Sequence, residues 1–267
     1  MNHLPKFWNQ LTTLDFKNID LQKAVAVLPL AATEQHGPHL PLSVDTDIID
    51  AVVKESLKHL EPHSPIFILP TQTVGLSTEH TAFPGTLSLS AQSMLQIGAE
   101  LGACVARSGI RKILLFNSHG GNVGLMDLIA RDLRGQHNLL VFSTSWYQLP
   151  LGDEVWSEFS LHEQRYGAHA GDIETSLMLY IDPNRVRMQY AQNFHSASEQ
   201  RSADYKILGD GRSAKLGWHI QDYNTNGAVG NAKAATPEKG AKILKCAGLK
   251  LSELFEELIA IPALTKL

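Results

Sequence analysis

The sequence predicts an α/β protein built on a mostly parallel sheet that is covered by helices on both faces. Three short apolar runs, at residues 24–31, 66–69 and 112–116, have the length of buried strands. Each run is followed, directly or after a loop, by a longer segment with an apolar residue at every third or fourth position. Alternation of strands and amphipathic helices is typical of parallel sheets with covering helices. The expected arrangement is a single three-layer α/β/α domain.

The elements follow one another in regular order along the chain. Residues 1–23 are expected to form a leading helix or coil, which Phe7 and Trp8 anchor on the core or on a neighbouring subunit. Capping residues and apolar periodicity predict helices and one further strand beyond the three apolar runs. The helices are predicted at 45–60, 90–108, 123–133 and 236–258, the fourth strand at 139–144, and irregular chain at 145–163, 208–217 and 218–231.

Length and composition indicate one globular domain that covers residues 1–267. The chain is 43% hydrophobic, and neither an internal repeat nor a linker-like shift in composition interrupts it. The net charge is −4 and no run of Lys or Arg could follow a phosphate backbone, so no nucleic-acid partner is expected. No stretch approaches the roughly 20 apolar residues of a membrane span, and the N-terminus lacks a signal-peptide pattern. We therefore expect a soluble cytoplasmic protein that does not bind membranes.

The two cysteines, Cys104 and Cys246, lie within apolar helical patterns. They are predicted to be buried small hydrophobic residues, since two isolated cysteines form neither a disulfide framework nor a zinc knuckle. A metal ion in this protein would therefore be bound by nitrogen and oxygen atoms.

The first group of candidate metal ligands lies between Leu30 and Asp50. Glu34 and His36 follow the first predicted strand, and residues two apart on a strand point to the same side. Asp45 lies at the predicted start of a helix, where free backbone N–H groups favour a carboxylate. Taken singly, Asp45 is more simply a helix cap and the other two residues could be ordinary surface residues. Taken together, the three predict a metal site.

The segment from Pro70 to Ser90 is a long polar loop, and a long loop inside a compact domain is usually functional or disordered. Its hydrogen-bonding residues Ser77, Glu79 and His80 suit the binding of a small polar substrate. The alternative for His80 is an ordinary histidine on a surface loop.

The third predicted strand leads into Asn117-Ser118-His119-Gly120-Gly121-Asn122. His119 would face the same crevice as Glu34 and His36, and Gly120 would let the backbone approach a bound substrate closely. The rival interpretation is a nucleotide-binding module that uses the Gly120–Gly121 turn. The stretch lacks both GxGxxG and a Lys-Ser/Thr pair after the glycines, so neither phosphate-binding motif is supported.

The stretch GAHAGDIETS, residues 167–176, leads into an apolar helix. A buried Glu174 on that helix would need a partner, and we predict that it is a metal ligand that takes part in catalysis; the alternative is an ion pair with an arginine in the core. His169 lies just before the helix, where it could reach the cleft without binding a metal. Further along, Trp218 begins a loop that is expected to contact and select the substrate.

Five separated stretches together resemble the creatininase (creatinine amidohydrolase) family: LAATEQHGPHLPLSVDTDI, STEHTAFPGT, NSHGGN, HAGDIETS and NGAVGNAKAATPEKG. The resemblance implies a single α/β/α layer fold and a homo-oligomer, commonly a hexamer. It places Glu34, His36, Asp45 and His119 on metal-ligand positions, with Asp45 shared between two ions. It also places His169 on the position of the catalytic histidine.

The implied activity is hydrolysis of a C–N bond in a small non-peptide amide, such as a creatinine-like cyclic amide. A formamide deformylase acting in cofactor biosynthesis is the alternative within the family, and an inactive oligomeric scaffold is a further one. Two divalent ions, zinc first and manganese or iron otherwise, would activate water for attack on the amide carbon. His169 would protonate the departing nitrogen.

One position departs from the family pattern. Creatininase proper has a glutamate two residues after the histidine of the NSHGGN stretch, where this chain has Gly121. We expect Glu174 to replace that missing ligand.

Overall fold

The computed structural model of the protein describes residues 4–263. The first three residues of the predicted leading segment and the last four of the predicted 1–267 domain lie outside this range. Within it, a parallel sheet has the strand order β2-β1-β3-β4. The strands are β1 (Val25–Leu30), β2 (Ile66–Ile68), β3 (Lys112–Asn117) and β4 (Leu140–Ser145). Each of them coincides with a predicted strand to within two residues at either end.

Helices connect and follow these strands. They are α1 (Val44–Leu57), α2 (Ala91–Arg107), α3 (Val123–His137), α4 (Asp153–Trp156), α5 (Leu161–Tyr166), α6 (Asp172–Ile181), α7 (Ala197–Asp204) and α8 (Pro237–Ala260). The predicted caps are in place, because the hydroxyls of Ser90 and Thr236 accept hydrogen bonds from the backbone N–H groups of Ser93 and Lys239.

The core lies on both faces of the sheet, as the three-layer prediction requires. Alternate residues of β1 point to opposite sides. Val25 and Val27 belong to a cluster with residues of α1, α6 and α8, whereas Ala26 and Leu28 belong to a cluster with residues of α2 and α3. All four side chains are fully buried. The predicted α/β/α arrangement is therefore confirmed.

The prediction that both cysteines are buried is wrong. Cys104 is exposed and Cys246 is half-buried, and both are free thiols. Cys104 lies on the outer face of α2, because the buried positions of that helix are Met94, Gly98, Gly102 and Val105 with Ala106. A helix that packs on one side only can carry a small apolar residue on its outer side.

The segments predicted to be irregular contain several short elements. Residues 145–163 include α4 and the start of α5, and a small antiparallel pair joins β5 (Asn193–Phe194) to β6 (Gly230–Asn231). Helix α7 was not predicted, although Ser196 and Glu199 form a capping box at its start. None of the helices within residues 4–263 is long and apolar enough to cross a membrane.

The sheet topology fixes where a site can form. The strand order reverses between β1 and β3, since the chain passes from β1 outward to β2 and then returns to β3. In open α/β sheets, the crevice at the carboxyl ends of two such strands is the usual binding site. The segments that follow β1 and β3 carry the Glu34–His36 and His119 motifs.

Candidate metal centre

Four segments of the chain bring three carboxylates and two imidazoles into one buried cluster. Glu34, His36, Asp45 and His119 are each no more than 3% exposed, whereas Glu174 is partly open to a pocket. Strand β1 ends at Leu30, so Glu34 and His36 lie beyond it and do not alternate on a strand as predicted. They are held together instead by a 3.0 Å hydrogen bond between Nδ1 of His36 and the carbonyl oxygen of Glu34.

The cluster divides into two groups that share one carboxylate. In the first group, Nδ1 of His119 lies 3.2 Å from Oε1 of Glu34 and 3.8 Å from Oδ2 of Asp45. In the second group, Nε2 of His36 lies 3.9 Å from both Oδ2 of Asp45 and Oε2 of Glu174. Bonds of about 2.0–2.2 Å from a zinc ion to N and O ligands allow ligand separations of this size. Asp45 thus contributes a ligand atom to both groups.

Backbone carbonyls set the tautomers of both candidate imidazole ligands. A carbonyl oxygen only accepts, so Nδ1 of His36 must donate to Glu34 and Nε2 of His119 must donate to the carbonyl oxygen of Leu76 at 2.8 Å. The remaining nitrogens, Nε2 of His36 and Nδ1 of His119, are therefore the ones available to a metal ion. Both of these nitrogens face the carboxylates, so the imidazoles and the carboxylates could bind the same cations.

Unpaired buried atoms supply an independent test of whether a metal fits. Among residues 4–263, Oε2 of Glu34, Nε2 of His36 and Oδ2 of Asp45 are fully buried without a hydrogen-bond partner. Such an atom costs about 1–3 kcal/mol if nothing satisfies it, and native proteins rarely leave several together. All three are lone-pair donors that point into the cluster. The residues present therefore fit a pair of divalent cations.

The electrostatics of the cluster point the same way. Burial and then the neighbouring Glu34 raise the pKa of Asp45 well above its usual range, and burial also raises the pKa of Glu174. Burial opposes charge on His119, but its ion pairs with Glu34, Asp45 and Glu79 outweigh this and raise its pKa to about 10. Without a cation these groups therefore tend to retain protons, because several carboxylates at one buried point cannot all be charged. Divalent cations would supply the positive charge that lets the carboxylates ionise together.

His169 lies against this cluster and carries a free lone pair. Its Nε2 lies 2.8 Å from the carbonyl oxygen of Gln35, so Nε2 donates and Nδ1 is the unprotonated nitrogen, 3.9 Å from Oε1 of Glu34. Burial and the nearby His36 lower the pKa of His169 to about 4, which keeps the ring neutral near pH 7. Its ring packs between those of His36 and His80, at centroid distances of 4.2 and 4.3 Å. Ligand atoms of His169, Glu34 and His36 are also close enough to form a third metal group.

Four of the five predicted substrate-binding residues line a pocket at the cluster, and the fifth, Ser77, lies behind it. The pocket has a volume of about 200 Å³ and is lined by Glu79, Gly120 and Trp218 as well as by all of the metal-ligand candidates except His36. His80 also lines it, but Nε2 of His80 lies 3.4 Å from Oε1 of Glu34. Ser77 is fully buried behind His119, with its hydroxyl 3.3 Å from Nε2 of that ring.

Two residues that position this site, Gln35 and Glu163, were not identified from the sequence. The amide of Gln35 donates to the carbonyl oxygen of Gly227 at 2.8 Å and lies 2.7 Å from Nδ1 of His80. The carboxylate of Glu163 accepts hydrogen bonds from Asp172 and Asn231, which clamps the segment after His169. Such contacts join distant parts of the chain, and no short motif signals them.

The structure also shows why position 121 lacks a side chain. A Cβ atom on Gly121 would lie 2.2 Å from the carbonyl oxygen of Leu76, 2.5 Å from Oε1 of Glu79 and 2.5 Å from Nε2 of His119. The glutamate expected there by family resemblance has no room. The same crowding by carboxylates makes the Gly120–Gly121 turn unsuited to phosphate, so the nucleotide-binding interpretation finds no support here.

Comparisons with known proteins place the chain in a family. A family model described as creatinine amidohydrolase matches residues 9–255. The mycofactocin precursor peptide peptidase of Mycobacterium tuberculosis (strain CDC 1551 / Oshkosh) is 33% identical over 171 residues, which cover 61% of this chain and 61% of that protein. The chain thus spans less than two thirds of that relative's length. The creatinine amidohydrolase of Pseudomonas putida is 26% identical over 255 residues, or 90% of this chain and 92% of that one.

Solved structures show the same fold. A structure titled "Creatininase Mn" superposes with a TM-score of 0.78 at 24% identity, covering 97% of this chain and all of the other. A mutant creatininase of Zn-Zn type has a TM-score of 0.76 at 24% identity, again over 97% of this chain and 100% of that one.

Proposed function

The chain belongs to the creatininase family of hydrolases, and from its site we propose that it is a metal-dependent hydrolase that cleaves the C–N bond of an amide. The observation that carries this proposal is the pair of ligand groups that share Asp45, since most of their free lone pairs are buried without partners. Glu34, Asp45 and His119 would hold one ion, and His36, Asp45 and Glu174 the other. Two divalent cations held this way polarise an amide carbonyl and lower the pKa of water towards neutrality.

The chain's own residues supply the proton transfers. His169 is neutral near pH 7, and its Nε2–H is held by the carbonyl oxygen of Gln35, so that the unprotonated Nδ1 lies 3.9 Å from Oε1 of Glu34. In this proposal His169 takes a proton from the attacking water and passes that proton to the departing nitrogen. His80 and Glu79 border the same pocket and would orient the substrate, together with Gly120 and Trp218.

The ligand set restricts the metals without selecting one. Imidazole and carboxylate ligands without thiolate suit zinc, manganese or iron(II). We propose zinc first. The fold resemblance to creatininase structures titled with Mn and with Zn-Zn supports both of these metals.

Two observations bear on the substrate. The pocket of about 200 Å³ suits a small amide, such as a creatinine-like cyclic amide or a formamide. The mycofactocin precursor peptide peptidases, at up to 34% identity, match more strongly than the creatinine amidohydrolase at 26%. This favours an amide bond of a peptide as a second candidate. We also propose a homo-oligomer, by family resemblance a hexamer, which light scattering of the purified protein would test.

The test of the proposed function has two parts. Elemental analysis of the purified protein should find stoichiometric zinc, manganese or iron. The metal-loaded protein should then hydrolyse at least one member of a panel that contains creatinine, formamides, lactams and short peptides. A purified protein that binds no transition metal, or a metal-loaded protein inert towards every member, would contradict the proposal.

A further inference from the structure

A second cavity, called the outer cavity below, lies next to the pocket at the metal-ligand cluster, called the inner pocket. The two share one lining residue. This cavity has a volume of about 260 Å³ and is lined by residues of α7 and of the loop that follows it, among them Arg201, Lys215 and Tyr223. Trp218 lines both this cavity and the pocket at the metal centre. The two spaces are therefore neighbours on either side of Trp218, and a substrate that extends past this ring could occupy both.

Three aromatic rings lie in a row between the inner pocket and the guanidinium of Arg201. The ring of Trp218 lies edge-on to that of His80, with the centroids 6.1 Å apart, and its centroid lies 5.2 Å from that of Tyr223. The guanidinium of Arg201 lies over Tyr223 at 5.4 Å from the ring centroid. The flat faces of such rings suit the planar body of an amide substrate, and the stacked guanidinium stays oriented with its N–H donors available.

Different charged side chains border the two spaces. Glu79 and the ligand carboxylates border the inner pocket, whereas Arg201 and Lys215 border the outer cavity. Within residues 4–263, neither of these cations lies within 4.0 Å of a carboxylate. The acidic groups nearby are already engaged: Glu199 pairs with His162, Asp204 accepts from Gln200, and Asp210 accepts from Arg212 and Ser213.

We propose that this outer cavity is a subsite for an anionic group, a carboxylate or a phosphate, at the end of the substrate remote from the scissile amide. The proposal rests on the proposed hydrolase function and narrows its substrate class. Arg201 and Lys215 would bind the anionic end in the outer cavity. The position of these two cations thus orients the substrate with its neutral amide towards the metal-ligand residues.

The first test measures binding without turnover. The probes are 4-acetamidobenzoate, phenyl phosphate and the neutral 4-acetamidobenzamide, titrated calorimetrically into the metal-loaded protein and into the double variant Arg201→Gln/Lys215→Gln. Charge-assisted hydrogen bonds predict that the double variant loses at least about 10-fold in affinity for an anionic probe and none for the neutral one. The relative affinities of the two anionic probes distinguish a carboxylate subsite from a phosphate subsite.

The matched control is Arg212→Gln, since Arg212 lies on the same loop but does not line the cavity. It should bind all three probes as the wild type does. An anion that binds only at the metal centre would keep its affinity in the double variant. That result, or equal losses in the double variant and in Arg212→Gln, would overturn the proposal.

The second test separates this inference from the proposed function. Formanilide and 4-formamidobenzoate differ only in a carboxylate, and the double variant should raise KM for the charged substrate alone. Failure of the metal-loaded wild type to hydrolyse any amide would contradict the proposed function and leave the binding result to stand. Unchanged anion binding in the double variant, with hydrolysis intact, would contradict the subsite alone.

Discussion

The backbone N–H of Ala170 donates a 2.6 Å hydrogen bond to Oε2 of Glu174. Ala170 is fully buried and has a φ of 54°, in the left-handed region that costs a non-glycine residue about 1–2 kcal/mol. The conformation persists because its neighbour His169 pairs with Val229, whose N–H donates to the His169 carbonyl oxygen at 2.8 Å. One strained residue therefore aligns a candidate metal ligand and the candidate proton carrier.

Substitution of Ala170 tests this alignment. Ala170→Val places a β-branched side chain at a positive φ in a fully buried position, so we expect a loss of more than about 2 kcal/mol in the free energy of unfolding and a loss of bound metal. Ala170→Gly is the control, because glycine adopts this φ readily, and its stability should change by no more than about 1 kcal/mol. Urea unfolding and metal analysis measure both. Equal stability of the two variants would show that the backbone at this position carries no strain.

The sharing of Asp45 predicts a stepwise pattern of metal loss. Asp45 belongs to both ligand groups, whereas Glu174 belongs to only one of them. Asp45→Asn should therefore lose both ions, while Glu174→Gln should keep the ion bound by Glu34, Asp45 and His119. Elemental analysis after gel filtration measures the metal content of each variant. Full occupancy in Asp45→Asn would contradict the shared-ligand arrangement.

The proposed role of His169 in proton transfer predicts that its substitution affects turnover and not metal content. His169→Ala should keep its metal content and lose about 100-fold or more in kcat, since general acid–base residues contribute on the order of 10²–10⁴-fold. His59→Ala serves as the control, because His59 lies just beyond α1 with a side chain that is 38% exposed. If His169→Ala instead loses metal along with activity, His169 acts as a ligand in the group that it forms with Glu34 and His36.

Two adjacent glycines allow a matched test of how His119 is positioned. An added Cβ at Gly121 would meet the Leu76 carbonyl and the His119 ring at 2.2 and 2.5 Å, whereas one at Gly120 would have no atom within 4 Å. Gly121→Ala should displace His119 and lower metal affinity by roughly 10–100-fold, the range found when groups that orient a ligand are disturbed. Gly120→Ala should bind metal normally. Similar affinities in both variants, measured by competition with a chelator, would refute this account.

Because His39 is a buried histidine, we expect the stability of the protein to depend on pH. It is buried, and Nε2 lies 2.9 Å from the Thr175 hydroxyl. Burial, with the nearby His36 and His169, lowers the pKa of His39 to about 4. Histidine in an unfolded chain titrates near pH 6.5, so between about pH 6.5 and 4 the unfolded state binds more protons than the folded state. The stability contributed by the neutral ring is therefore complete above about pH 6.5 and is lost as the pH falls towards 4.

The measurement compares the metal-free wild type with His39→Gln, in which no imidazole titrates at this position. Between pH 7 and pH 4, the wild type should lose on the order of 3 kcal/mol more in its free energy of unfolding than the variant does. Urea unfolding at each pH gives both values. Parallel pH profiles for the two proteins would show that His39 does not titrate abnormally.

The strands, the long helices and their caps could be predicted from the sequence, and so could the identity of the candidate metal ligands. These features depend on residues a few positions apart, whose apolar spacing and capping chemistry are visible in the chain itself. Helix α7 and the exposure of Cys104 were missed because one-sided burial of a surface helix depends on what packs against it.

The arrangement within the site could not be predicted, because it depends on contacts between distant segments. The amide of Gln35 contacts the carbonyl of Gly227, 192 residues away, and Trp218 separates two cavities that no local pattern indicates. Residue types and their order along the chain therefore established which groups were available for chemistry. The reversal of strand order between β1 and β3, and the hydrogen bonds across it, decided which of those groups meet, because only folding sets distances between residues far apart in the chain.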